Sequence, residues 1–206
     1  LASLDTARRA EILPYIAGLR GALDIPVIYV SHQMDEISRL ADTMVLVADG
    51  SVSAVGPVEV LTNRLDLEPL TGLHDAGAVL PCRVAEKDTR FGLSRLKFSG
   101  GSLWVGTVDP PLGATVRVRI GARDVALALS PPVDISMLNV IESVVTEIGE
   151  PKGAQVDIGL AAGEDALWAR VTRRSLADLD LKPGMRVHAM IKSVSIDGAA
   201  GARYSG

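Results

Sequence analysis

Val27-Ile28-Tyr29-Val30 is a run of four apolar residues, mostly β-branched or aromatic, closed by Pro26 on one side and by Ser31-His32-Gln33 on the other. A continuous apolar run of this length, without polar alternation, reads as a strand buried on both faces. The residues that follow have helical spacing, with Met34, Ile37, Leu40 and Ala41 on one face and Asp35, Glu36 and Arg39 off it. Asp35 and Glu36 then read as a solvated first turn, favourable to the helix dipole. A buried strand running into a helix places His32 at the C-terminal tip of a central parallel strand, where α/β sheets gather their chemistry.

The flanking segments extend this pattern. Thr6 to Leu23 is a helix candidate, capped by Asp5 or Thr6 and bent at Pro14. Met44 to Val47 is a second buried strand, and Asp49-Gly50 joins it to a strand over Ser51–Val55 as a hairpin. Pro57 to Thr62 reads as a short helix with Pro at its first position. Arg64 to Gly77 holds Pro69, Gly72 and Gly77 and no clean period, so it reads as a linker. Beyond it, short alternating strands dominate: Leu80–Ala85, Leu93–Phe98, Ser102–Gly106, Thr115–Ile120 and Val125–Leu129. Strands at this spacing predict a small β-barrel. The segment repeats. Leu103-Trp104-Val105 resembles Leu167-Trp168-Ala169, and Leu112 to Ile120 resembles Lys182 to Ile191. The expected organisation is an α/β portion over 1–63, a linker over 64–77, an all-β double OB-like barrel over 78–197 and a disordered tail over 198–206. The two tryptophans are expected to pack at equivalent inward positions.

Composition excludes several classes. A net charge of −4 offers no electrostatic case for nucleic-acid binding. Cys82 is the only cysteine, which rules out an intramolecular disulfide and suits a reducing compartment. It reads as a small buried apolar residue. No apolar run approaches the ~18 residues needed to span a bilayer, and no signal peptide opens the chain.

Ser31-His32 followed by Asp35-Glu36, then Leu40-Ala41-Asp42, Met44-Val45-Leu46 and Gly50, resembles the switch-histidine region of ABC-transporter ATPases. Leu1-Ala2-Ser3-Leu4-Asp5 is similar to the end of their Walker B segment with its D-loop, and lies the expected distance before His32. The resemblance implies that His32 contacts the γ-phosphate of ATP and that Asp5, with Ser3 in the same loop, reaches the partner subunit's ATP site across a homodimer. The plainer readings are a strand-end histidine satisfied by its own backbone and, for Asp5, a helix N-cap; the second can hold together with the D-loop role. No Gly-x-x-x-x-Gly-Lys-Ser/Thr, no Leu-Ser-Gly-Gly-Gln and no Walker B Asp-Glu occurs in the 206 residues. The chain therefore reads as the C-terminal portion of a longer protein and is expected not to hydrolyse ATP alone.

Within ABC importers, the barrel resembles that of molybdate-transporter subunits. In molybdate-binding domains a Ser-Ala-Arg-Asn segment and a Lys-Ser or Lys-Ala-Ser segment line the oxyanion pocket. Here Ser136-Met137-Leu138-Asn139 and Lys192-Ser193 stand in those places. The resemblance makes Ser136, Asn139, Lys192 and Ser193 the candidate oxyanion ligands. A tetrahedral dianion needs hydroxyls, backbone N–H groups and a cation. Leu138 stands where the family has Arg, which leaves Lys192 as the one cation of the set. The alternative is a structural barrel that spaces or dimerises the ATPases.

The function implied is the ATP-binding subunit of a molybdate or tungstate importer. It would use ATP and Mg2+ and act as a homodimer, peripheral on the cytoplasmic side of the inner membrane. Its partners would be permease subunits and, indirectly, a periplasmic oxyanion-binding protein, with no nucleic acid. A sulfate or sugar importer ATPase and a non-catalytic oxyanion sensor or storage protein remain open at this point.

Overall fold

The computed structural model describes residues 8, 12–13, 15–16, 26–62, 64, 67, 77–192 and 194–196. Of the helix expected over 6–23, the five described residues are all helical. Most of the expected linker and all of the expected tail lie outside the described residues.

Helix α1 (Met34–Leu40) begins after the extended Gln33 and closes where the Ala41 N–H returns to the Ile37 carbonyl at 2.9 Å. Strands β1 (Thr43–Ala48) and β2 (Ser51–Pro57) form the expected antiparallel hairpin. Asp49 and Gly50 both have positive φ, 49° and 74°, as a two-residue turn matched to strand twist requires. Helix α2 (Val58–Thr62) follows, with Pro57 closing β2 rather than opening the helix. Met34, Met44, Leu46, Val58, Leu61 and Leu67 form one small core across these elements.

The strand expected over Val27–Val30 has no ladder partner among the described residues. Ile28 and Val30 are 91% and 90% exposed. A strand buried on both faces needs neighbouring strands and covering helices, and the described residues supply none to this segment.

Residues 77–196 form two five-stranded antiparallel sheets. The first has the order β12-β6-β3-β4-β5, from Ser195–Ile196, Thr115–Gly121, Gly77–Asp88, Leu93–Phe98 and Gly101–Gly106. The second has the order β10-β9-β8-β11-β7, from Asp165–Thr172, Gln155–Ala162, Asn139–Ile148, Arg186–Ile191 and Val125–Ala128. The sequence repeat is a structural repeat. β3 shifts register between Val84 and Glu86, and β8 does so between Val145 and Glu147. Gly113 donates to the Val84 carbonyl at 2.8 Å, and Gly184 donates to the Val145 carbonyl at 2.7 Å.

The repeats exchange their last strands. β7, which follows β6 in the chain, pairs with β11, and β12, which follows β11, pairs with β6. Each sheet is therefore completed by the other repeat. Leu80, Leu96, Leu103 and Ile120 of the first share one core with Ile158, Leu160, Leu167 and Ile191 of the second, all fully buried. Burying each such side chain contributes about 2 kcal/mol. The arrangement is an all-β barrel unit, as the alternating pattern requires.

The tryptophans occupy equivalent positions, and of the two only Trp168 is buried as expected. Leu103 and Leu167 face the shared core, and strand alternation turns Trp104 and Trp168 to the opposite faces. Trp168 is buried against Ala122, whereas Trp104 is half-buried under the Arg95 guanidinium.

The β4–β5 and β9–β10 turns interlock. The Ser99 hydroxyl donates to Asp165 at 2.6 Å, and the Ser99 backbone N–H reaches the same carboxylate oxygen at 3.1 Å. Gly163, at φ 63°, lies so close that a Cβ there would sit 2.6 Å from the Ser99 carbonyl carbon.

Candidate functional site

His32 sits on the two-residue step between the extended segment and α1, with its side chain exposed. The Gln33 N–H donates to Ser31 Oγ at 3.1 Å, a local turn that fixes the backbone on both sides of His32. The Ser31 hydroxyl in turn donates to Glu36 Oε2, and the Tyr29 hydroxyl donates to the same oxygen at 2.7 Å. Glu36 is only 4% exposed, so the solvated first turn expected from sequence is wrong for this residue. A carboxylate taken out of water needs donors, and Tyr29 and Ser31 supply them. Glu36 is the third residue of α1, the position from which an acidic side chain reaches back over the helix start. That position is the sequence signal that should have marked it. Ser3 and Asp5 lie outside the described residues.

The second candidate group gathers at one end of the second sheet. Asn139 opens β8 and pairs in register with Ile191, the residue immediately before Lys192. The Lys192 N–H donates to the Asp124 carbonyl at 2.9 Å, and its side chain is exposed. Ser136 is exposed on the approach to β8, as is Leu138. Asn139 is 6% exposed, and its amide is largely committed. Oδ1 accepts the Trp104 N–H at 2.6 Å, and Nδ2 donates to the Trp104 carbonyl at 2.9 Å. One amide N–H remains for another acceptor. Ser193 lies outside the described residues. The fold thus brings Ser136, Asn139 and Lys192 to one end of one sheet.

Sequence reasoning passed over a charged cleft of about 470 Å³ beside β9 and β10, lined by Arg123, Glu150, Lys152, Asp157 and Arg170 among others. Arg170 holds Asp157 through Nε at 2.7 Å and Nη2 at 2.8 Å, with both side chains nearly buried. A buried bidentate pair of this kind keeps both charges satisfied across the β9–β10 ladder. Cys82 is buried in the core, and burial, with a smaller contribution from Asp165, pushes its thiol up to about 12. It is a packing residue and not a nucleophile. Among the described residues no group of three or more His, Cys, Asp or Glu side chains could hold a metal ion.

The family model for the TOBE domain matches residues 135–197, which span the second repeat. Over 196 residues the chain is 48% identical to the molybdenum import ATP-binding protein ModC of Paramagnetospirillum magneticum, covering 95% of this chain and 54% of that protein. The ModC protein of Rhodospirillum rubrum is 45% identical over 201 residues, with the same coverage of 95% and 54%. The chain spans about half the length of these relatives. Among solved structures, the cytoplasmic molybdate-binding protein ModG, crystallised with molybdate bound, superposes with a TM-score of 0.51 at 23% identity. That match covers 59% of this chain and 95% of the ModG chain, and it identifies the fold of the barrel.

Proposed function

We propose that this chain, whose homologues are the molybdenum import ATP-binding proteins, is the C-terminal part of the ATP-binding subunit of a molybdate or tungstate ABC importer. The observation that carries this reading is the similarity over 95% of the chain, which takes in both the His32 segment and the barrel. In the intact subunit, ATP would supply the γ-phosphoryl group and Mg2+ would neutralise its charge; these 206 residues contain no Gly-x-x-x-x-Gly-Lys-Ser/Thr to cradle the phosphates. His32 places a donor on the oxygen charge that develops during phosphoryl transfer. Glu36, through Ser31 and Tyr29, holds the segment that presents His32. Ser3 and Asp5 belong to the loop that faces the second copy in a homodimer. The chain alone lacks the phosphate-cradling loop and does not turn over ATP.

The subunit docks on permease subunits at the cytoplasmic side of the inner membrane, with a periplasmic oxyanion-binding protein as an indirect partner. No helix among the described residues is long and apolar enough to cross a membrane. Residues 1–63 belong to the ATPase portion and 78–197 to the barrel.

The barrel senses oxyanion at Ser136, Asn139, Lys192 and Ser193. A single cation must offset most of a dianion's desolvation cost there, so binding is weak or completed by a second chain. Titration calorimetry with molybdate on this chain and on Lys192→Ala tests the assignment. A sensor releases or absorbs heat that the variant loses. Silence from both proteins marks the barrel as a spacer, and equal binding by both moves the pocket elsewhere.

A further inference from the structure

The guanidinium of Arg117 touches the ATPase portion at three points. Nη1 donates to the Ala41 carbonyl at 2.9 Å, Nη2 reaches Asp42 Oδ1 at 3.2 Å, and Nε pairs with Glu59 Oε1 at 2.7 Å. Ala41 is the cap at the C-terminal end of α1, Asp42 leads into β1, and Glu59 lies in the first turn of α2. One rigid, planar fork thus fixes the far end of the helix whose near end presents His32. A lysine could hold one of these partners but not all three.

Arg117 also occupies a particular place in the barrel. It lies in β6, opposite Pro81 of β3. On its other edge β6 pairs with β12, through Ser195 with Arg119 and Ile196 with Val118. β12 is the exchanged strand, and it continues directly from Lys192-Ser193. The strand exchange therefore lays the chain that leaves the candidate oxyanion segment against the strand that grips α1.

We propose that Arg117 is the positioning residue through which the barrel sets the orientation of the His32 helix. The inference rests on the function proposed above. It concerns a contact within this chain, and part of its test is independent of that function.

The experiment uses the full-length subunit with its permease, as wild type, Arg117→Ala, Arg117→Lys and Arg186→Ala. Arg186 faces Glu142 at 3.5 Å in an exposed pair and serves as a control for loss of a barrel arginine. Hydrogen exchange over residues 34–42 is read first. Arg117→Ala should accelerate it about tenfold or more while β3, β8 and β9 keep their protection, and Arg186→Ala should leave it unchanged. ATP turnover is read second. Arg117→Ala should lower kcat about three- to tenfold with KM nearly unchanged. Arg117→Lys should fall between, and it carries the test if the alanine variant fails to fold. Wild-type exchange over 34–42 together with wild-type kcat in the Arg117 variants would overturn the proposal. A wild-type subunit without ATP turnover would instead overturn the functional reading, and the exchange measurement would still decide whether Arg117 holds α1.

Discussion

The Asn139 side chain forms a two-point hydrogen-bonded clip on the backbone of Trp104, accepting from its N–H at 2.6 Å and donating to its carbonyl at 2.9 Å. Trp104 lies in β5, the edge strand of the first sheet, and Asn139 opens the second repeat. A side-chain amide here does the work of a ladder partner and covers part of an exposed strand edge. It also ties the position expected to face oxyanion into the framework that holds the two sheets together.

Removing that clip should be felt as stability. Asn139→Ala leaves two backbone groups of Trp104 without partners and should cost about 1–3 kcal/mol. Asn139→Asp should cost at least as much at neutral pH, because a carboxylate cannot donate to the Trp104 carbonyl. Urea denaturation of the chain reads both. Midpoints equal to wild type for the two variants would show that the clip contributes nothing.

Cys82 gives a pH-dependent expectation. Its thiol is pushed up to about 12, first by burial and second by the Asp165 charge. The folded state therefore holds the proton over a range in which the unfolded chain, at about 8.5, has released it. The contribution to stability is complete below pH ~8.5 and is lost as pH rises toward 12. Thiol-reagent labelling at pH 8 should proceed only through unfolding. It should accelerate in denaturant, and the Cys82→Ala variant should lose less stability between pH 9 and 11 than wild type. Rapid labelling of the native chain at pH 8 would contradict this account.

In the full-length subunit, His32→Ala should lower ATP turnover at least about ten- to a hundredfold, equivalent to roughly 1.4–2.8 kcal/mol of transition-state stabilisation, with nucleotide binding much less affected. Glu36→Ala should lower turnover in the same direction by releasing Ser31 and Tyr29, and His32→Ala should then add less in that background than in wild type. Steady-state kinetics with the two single variants and the double variant checks it. Full additivity would show that Glu36 does not act through His32.

How much of this was legible in the sequence depended on whether the information was local. The Asp49-Gly50 hairpin, α1 and the Leu93–Phe98 strand follow from turn chemistry and periodicity, and they stand where the pattern put them. The repeat was visible because Gly113 and Gly184 enter the same turn before the same alternating strand. Its strand exchange was not visible, because β7 and β12 have the same apolar pattern whichever β-sheet they complete. Trp104 departs from expectation for a related reason: aromatic size suggests burial, but alternation from Leu103 turns it away from the shared core, whereas Trp168 is buried on its own face against Ala122. Val27–Val30 shows the opposite limit, since its pattern encodes burial while no described strand pairs with it. At the candidate sites, His32, Asn139 and Lys192 are named by resemblance to family motifs alone, and their roles rest on the assays proposed here. Glu36 was missed because charge was read as exposure, and Arg117 because a clamp between distant segments leaves no local trace.

ATP-driven transport is the most direct test of the central claim. The full-length subunit, assembled with its permease in proteoliposomes and supplied with ATP and Mg2+ on the subunit's side, should move molybdate in the presence of its periplasmic binding protein. Uptake should persist against excess sulfate and fall to background with His32→Ala. ATP-dependent uptake of sulfate or a sugar without molybdate, or molybdate binding without any ATP-dependent uptake, would contradict the account.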